Sequence, residues 1–242
     1  MLKKILTLLI DMLFPRNCIL CQAYHQDTDK NPLCPSCFKR ITFNHPPFCV
    51  RCSRHIDTIS EEGLCPDCRK RLPEFDYAWA CTLYKGAIKD LVPRFKFHNK
   101  TSLKNTFGAL AKEFFNHFPV NFKNVDYLVP IPLHSTRQRE RGYNQSLLLA
   151  EELSQALGIP LNNAILERIR PTQAQSELGA KERWTNLEAA FRIKTFPEVS
   201  GRHIILVDDL LTTGATASEA AKTLKAAGAQ KVGLITLAIV EK

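Results

Sequence analysis

No run of apolar residues in this sequence is long enough to span a bilayer, and no small-residue cleavage site follows its basic, apolar beginning. Met1 to Phe14 has the lysines and leucines of a signal peptide, yet Asp11 interrupts the run and Cys18 opens a different pattern at once. The segment reads as an amphipathic helix ending before Pro15 and docking on the cysteine-bearing stretch that begins at Cys18, with peripheral membrane contact as the alternative. Between Pro15 and about Pro73 there is no long periodic apolar stretch, so this part has no conventional core of its own. Nor is there an internal repeat, apart from pairs of cysteines.

Those cysteines are the next clue. Eight of the nine fall in four Cys-x-x-Cys pairs, Cys18/Cys21, Cys34/Cys37, Cys49/Cys52 and Cys65/Cys68. Two intervening residues let both sulfurs face one ion, and two such knuckles complete a closed tetrahedral Zn2+ site. Four pairs at near-equal spacing therefore predict two structural zinc sites in a reducing compartment, the cytoplasm, rather than disulfides or a redox pair. Joining successive pairs is the simplest grouping; a crossed one is also open. Closed sites of this kind do no catalysis. Cys81 stands alone in an apolar run and reads as a core residue. Two four-thiolate zinc sites carry two negative charges each, lowering the formal +9 of the 242-residue chain to about +5. That surplus suits polyanionic ligands, although Arg51, Arg54, Arg69, Lys70 and Arg71 also read as ordinary solubilising charge.

After Pro73 strands alternate with amphipathic helices: Tyr77 to Tyr84, a helix from Leu103 to His117, Tyr127 to Pro130, a helix from Asn144 to Leu157, Ala164 to Ile169, His203 to Val207, a helix after Gly214, and Val232 to Val240. This is an α/β pattern, and 1–75 and 76–242 read as two domains, a cysteine-rich module and a parallel-sheet domain. Ile204 to Val207 is apolar without a break, as a strand buried on both faces must be. The strand is expected to stop there, releasing Asp208 and Asp209 together at its carboxyl end, where ligands of α/β sheets bind. Gly214 then allows a turn before the next helix, and Thr212, Thr213 and Thr216 join the free amides around Gly214 and Ala215 in an anion cradle. Two acids that accept hydrogen bonds from vicinal hydroxyls, beside a phosphate cradle, describe a site for ribose 5-phosphate. This is the handle of phosphoribosyl pyrophosphate (PRPP).

A second constellation supports this. Pro130 and Pro132 stiffen a loop after a strand, with Leu133 and His134 beside them, and Arg137, Arg139 and Arg141 come next. Guanidinium groups, together with Mg2+, supply the charge that holds a pyrophosphate and lets it leave. Asn144 and Gln145 can equally be read as a plain helix start. A long polar segment carries Arg170, Thr172, Gln175, Arg183 and Asn186 and reads as a loop over the site. Lys96, Phe97 and His98 precede the first long helix and offer a cation or a base stack, although Phe97 reads rather as core. No nucleobase-binding hood is recognisable.

Asp208 to Thr216 resembles the PRPP loop of the type I phosphoribosyltransferases. With the four cysteine pairs, the Pro-Ile-Pro-Leu stretch and Arg141-Gly-Tyr-Asn-Gln145, nearly the whole chain resembles the ComF/GntX family. That resemblance implies a type I phosphoribosyltransferase-like parallel sheet flanked by helices, with an N-terminal zinc-ribbon module. It implies Asp208 and Asp209 as catalytic residues on the ribose, a pyrophosphate loop with Pro132, Leu133, Arg137 and Arg141, and a flexible loop with Arg170, Thr172, Gln175 and Arg183. It further implies natural transformation, with single-stranded DNA, a competence helicase and a recombination mediator as partners. Turnover on an unidentified acceptor, or a regulatory task outside competence, are the alternatives.

Overall fold

The computed structural model describes residues 17–25, 31–57, 61–171, 184, 187–194 and 198–241. The expected N-terminal helix, and Thr172, Gln175, Arg183 and Asn186, lie outside the described residues.

In chain order the elements are α1 (Pro35–Lys39), α2 (Pro66–Lys70), β1 (Tyr77–Leu83), α3 (Ala87–Phe97), α4 (Leu103–His117), β2 (Tyr127–Pro130), α5 (Ser135–Arg141), α6 (Gln145–Leu157), β3 (Leu166–Arg168), β4 (Phe191–Ile193), β5 (His203–Leu211), α7 (Ala215–Ala226) and β6 (Lys231–Ile239). β1, β6, β5 and β2 form one sheet in that order, with every pairing parallel. Leu103, Phe107, Leu110 and Phe114 recur at helical spacing on α4 and are all buried, and α4 and α6 cover the same face as α3. Alternate residues of β5 serve the two faces. Ile205 and Val207 pack in the core with α3, α4 and α6, whereas Ile204 and Leu206 pack with α7. The unbroken apolar run is thus explained by burial on both sides.

Four expectations need correction. β5 does not stop at Val207: it continues through both acids to Leu211, because β6 is equally long and stays in register, with Asp208 opposite Thr236 and Leu210 opposite Ala238. The apolar run marked where the strand is buried, not where pairing ends. The segment Ala164 to Ile169 yields only the short β3, which pairs antiparallel with β4 in a separate two-stranded sheet. Phe97 is not core: it is 70% exposed. Finally, the arginines after Leu133 lie on helix α5 rather than on a loop; His134 Nδ1 accepts from the Thr136 amide at 3.3 Å and begins it.

The cysteine-rich segment straddles the β1 edge. Phe43 bridges Thr82 antiparallel, the Asn44 amide donates to the Cys81 carbonyl at 3.0 Å, and the Leu83 amide donates to the Thr42 carbonyl at 3.0 Å. Asn44, fully buried, donates from Nδ2 to the carbonyls of Ser53 at 2.7 Å and Ala80 at 3.2 Å. Cys18, Cys34 and Cys37 then belong to the core on the α4 side, and Cys49, Cys52, Cys65 and Cys68 to the core on the α7 side. Cys81 is buried as expected.

The Tyr77 ring of β1 lies across Gly233 of β6 and leaves no room there for a side chain. A Cβ there would lie 2.4 Å from Cζ and 2.5 Å from Oη of Tyr77, whose hydroxyl is itself engaged with His203 Nε2 at 2.8 Å. Gly233→Ala is expected to destabilise the protein by about 1–3 kcal/mol through overpacking, read as a lower denaturant midpoint. An unchanged midpoint would show that Tyr77 swings aside freely.

Candidate PRPP pocket and zinc clusters

The sulfurs form two groups, Cys18, Cys21, Cys34 and Cys37, and Cys49, Cys52, Cys65 and Cys68, each with all ligand atoms within 4.8 Å of one another. This is the successive grouping; the crossed one is excluded. At a Zn–S distance of about 2.3 Å a tetrahedron has S···S edges of about 3.8 Å. Cys21 and Cys34 stand 3.7 Å apart and Cys52 and Cys65 3.6 Å apart, so the donors fit zinc. Each group combines a tight turn with a one-turn helix rather than two hairpins. Gln22 and Ser53 donate to the carbonyls of Cys18 and Cys49 at 2.9 Å, while α1 and α2 follow Cys34 and Cys65 and carry Cys37 and Cys68. Donors stand behind the thiolates, Arg40 to Cys37 Sγ at 3.0 Å and the Cys65 amide to Cys49 Sγ at 3.3 Å.

Two of the basic residues on this module turn inward. Arg51 donates to the Phe75 carbonyl at 2.9 Å and lies 3.6 Å from Asp76. Arg54 pairs with Asp67, between the second pair of ligands, at 3.4 Å and reaches the Thr212 carbonyl at 3.3 Å. Arg54 joins the second cluster to the β5–α7 loop and Arg51 joins it to the chain entering β1, so neither is spare surface charge.

A cavity of about 730 Å³ opens at the carboxyl ends of β2 and β5. Its walls unite Asp208, Asp209, Thr212 and Thr216 from one predicted group with Pro132, Leu133, Arg137 and Arg141 from the other. Thr213 and Gly214 face a smaller cavity of about 190 Å³ towards Arg54, Arg71 and Trp184. Gly214 has φ +79°, a left-handed conformation suited to glycine, immediately before α7; Thr213 Oγ1 accepts from the Ala215 amide at 3.4 Å. Arg170 lines neither; it is exposed and donates to the Glu188 carbonyl.

Sequence reasoning did not assign Ser146 and Arg168 to this cavity, and it left Lys96 without a partner. Ser146, in the first turn of α6 after its Asn144 cap, donates to Asp208 Oδ1 at 2.9 Å. Arg168 lines the wall from β3, its guanidinium pKa lowered by burial and by Arg137. Lys96 Nζ is 2.9 Å from Asp209 Oδ2. Asn144 does cap a helix as the plain reading had it, accepting from Ser146, but it also donates to the Ile131 carbonyl and so ties α6 to the Pro130–Pro132 loop. Phe97, exposed, sits on the rim with the Arg141 guanidinium 5.1 Å from its ring centre. Nothing in the local pattern marks Arg168; Ser146 was legible only as the residue following the capping motif.

Burial and the neighbouring charge of Asp209 raise the pKa of Asp208, against the opposing pull of Lys96, the Asp209 amide and Ser146. Arg141 is held below its ordinary pKa by burial, while both acids oppose that shift. The cavity thus holds two crowded acids facing Lys96, Arg137, Arg141 and Arg168.

A parallel sheet with acids and a threonine-glycine turn at one strand end, next to an arginine-bearing helix, defines a phosphoribosyltransferase-type domain, here bearing two four-cysteine zinc clusters. A double zinc ribbon domain matches residues 9–69 and a phosphoribosyl transferase domain matches residues 144–242. Competence protein F of Haemophilus influenzae is 33% identical over 233 residues, covering 93% of this chain and 97% of that protein. Competence protein ComFC of Bacillus subtilis is 36% identical over 64% of this chain and 60% of its own length, and DNA utilization protein YhgH of Escherichia coli 33% identical over 62% and 66%. The chain belongs to the ComF family. No described helix is long and apolar enough to cross a membrane.

Two measurements test this geometry. Elemental analysis is expected to find two zinc ions per chain, and Cys52→Ser to retain one while losing protection of residues near 49–68 from proteolysis; a variant that keeps two ions would exclude the second cluster as a zinc site. In the unfolded chain Asp208 has its ordinary proton affinity, and the fold raises it, so stability is lost as pH climbs from the ordinary towards the raised value and stays lost above it. Asp208→Asn is therefore expected to stabilise the ligand-free protein by roughly 1 kcal/mol at pH 7, the gain vanishing below about pH 4, when both forms of the site are neutral. Equal melting curves at pH 7 would show that Lys96 and Ser146 already offset the burial cost.

Proposed function

We propose that this chain binds PRPP in the large cavity and serves the handling of incoming DNA in natural transformation, in the reducing cytoplasm. The observation that carries this reading is that residues of both predicted groups, Asp208 and Asp209 with Thr212 and Thr216, and Pro132 and Leu133 with Arg137 and Arg141, line one cavity. The names of the H. influenzae, B. subtilis and E. coli relatives, two competence proteins and a DNA utilization protein, support the cellular task.

In this reading Asp208 and Asp209 accept hydrogen bonds from the ribose 2- and 3-hydroxyls. The 5-phosphate takes the amides and hydroxyls of Thr212, Thr213, Gly214, Ala215 and Thr216, at the positive end of α7. Arg137 and Arg141 take the pyrophosphate next to the rigid Pro132-Leu133 turn. Mg2+ entering with the substrate would supply further positive charge to the pyrophosphate, with Asp208 and Asp209 as carboxylates able to hold it. Arg170, Thr172, Gln175 and Arg183 are assigned to a loop that meets the bound substrate. Single-stranded DNA, a helicase and a recombination mediator are the partners this task calls for.

A second reading, transfer of the ribosyl group to an acceptor, is favoured by Phe97. An apolar ring this exposed, at the rim of a charged cavity and beside Arg141, is placed to stack on a planar acceptor. Attack on the anomeric carbon would break its bond to the pyrophosphate oxygen and release pyrophosphate into the arginines.

Calorimetric titration of magnesium PRPP into the zinc-loaded protein is the test. Micromolar binding is expected, weakened at least a hundredfold in the Asp208→Asn, Asp209→Asn double variant. Equal heats for both proteins, or none for either, would overturn the pocket assignment. Loss of PRPP only when a nucleobase or a DNA end is added, slowed in Phe97→Ala, would establish turnover.

A further inference from the structure

Asp209 is among the most enclosed charged side chains of the described residues, 3% exposed, yet among those residues Oδ2 has none of the hydrogen bonds that normally offset a buried carboxylate. What faces that oxygen is the ammonium of Lys96 at 2.9 Å, in ionic contact without hydrogen-bond alignment. Lys96 lies in the last turn of α3, where the carbonyl end of the helix also favours a cation, and its side chain is 22% exposed towards the cavity it lines. Its charge is also among those opposing the rise in the Asp208 proton affinity, so one ammonium serves both acids. Arg141 reaches the pair through longer-range charge, Arg168 also feels the charge of Asp208, and Arg137 lines the same cavity. A cation in ionic contact with an oxygen that has no hydrogen bonds, and open to the cavity it lines, is what a transferable counterion requires.

We propose that Lys96 is the resident counter-cation of the Asp208–Asp209 pair, filling the place at Asp209 that a divalent cation would otherwise take, and that substrate draws its ammonium from the carboxylate onto pyrophosphate oxygens. Asp209 is thereby released to accept from a sugar hydroxyl at the moment the anion arrives. Lys96 is a positioning residue in the ligand-free protein and a substrate ligand afterwards. The transfer onto pyrophosphate rests on the PRPP reading above; the counter-cation role does not.

The two halves have separate tests. Manganese(II) is titrated into zinc-loaded, PRPP-free protein and followed by electron paramagnetic resonance. Wild type and Lys96→Arg are expected to bind no manganese below millimolar concentration. Lys96→Met is expected to gain one site at least tenfold tighter, lost again in Lys96→Met with Asp209→Asn. Manganese bound equally by wild type and Lys96→Met, or by neither at millimolar concentration, overturns the counter-cation assignment. PRPP affinity is then compared with magnesium and with a chelator that spares the zinc. Wild type should weaken less than tenfold without magnesium and Lys96→Met more than a hundredfold. A wild type that needs magnesium absolutely overturns the transfer step, and this arm needs no variant to fold. If no protein binds PRPP under any condition, the substrate reading fails while the manganese arm still decides the role of the lysine.

Discussion

A parallel sheet cannot leave a long edge strand bare, and the way this chain closes the edge at β1 fixes almost everything else. Thr42 to Asn44 pairs with β1, and the buried Asn44 amide binds the segment to Ser53 and Ala80. The cysteine clusters hang from the two ends of this short pairing, so one is pressed into each face of the sheet. Sixty residues with no core of their own thereby borrow the two cores of the sheet domain, and metal needs only to fix their turns. The opposite edge is closed more simply, by Leu161 bridging Leu128 and by the Leu128 amide donating to the Pro160 carbonyl.

The electrostatics of the cavity run against stability. Burial at the end of the strand raises the proton affinity of Asp208, and the adjacent charge of Asp209 adds to this. The fold answers with one ammonium in contact with Asp209, one hydroxyl and one amide donor to Asp208, and three guanidinium groups in the same cavity wall. Asp126 shows the contrast. It accepts from Arg202 and from the His203 amide, and those bonds lower its pKa. On β5, by contrast, Asp209 Oδ2 is left without a hydrogen bond beside the Lys96 ammonium, a composition suited to exchanging partners with a charged ligand.

What the sequence disclosed, and what it hid, depends on how local each signal is. The two zinc groups were legible because ligand spacing is a property of adjacent residues, and their grouping was settled only in space. β2, α4 and α6 were legible because their apolar periodicity is strong. α3 was missed because Pro93 within Ala87–Phe97 mimics a helix break, and with it went the partner of Lys96 and the true place of Phe97. β4 was missed because three residues carry no period. The end of β5 was misread because pairing length depends on β6, thirty residues away. Arg54 looked like solubilising charge because nothing near it in sequence announces a carbonyl at position 212.

The contact from Arg54 to the Thr212 carbonyl bears on why zinc ribbons accompany this pocket. Arg54 is two residues from the ligand Cys52, and its ion-pair partner Asp67 lies between the ligands Cys65 and Cys68. The arginine is therefore clamped by the same turns that hold the metal, and its other contact is the backbone of the phosphate loop. Phe75, in the same core as those cysteines, comes within ordinary contact of where a Cβ at Gly214 would lie, so the turn is backed by the ribbon side as well. The loop has no other rigid support on that flank among the residues lining the smaller cavity, which are the ligands Cys52 and Cys68, basic side chains, Asp67, Pro73, Phe75, Trp184 and the loop itself with Leu211. On the proposed reading of this loop as the seat of the 5-phosphate, a zinc ion at the second cluster would act on binding through the stiffness of these turns, since a closed four-thiolate site has no open coordination position for the anion.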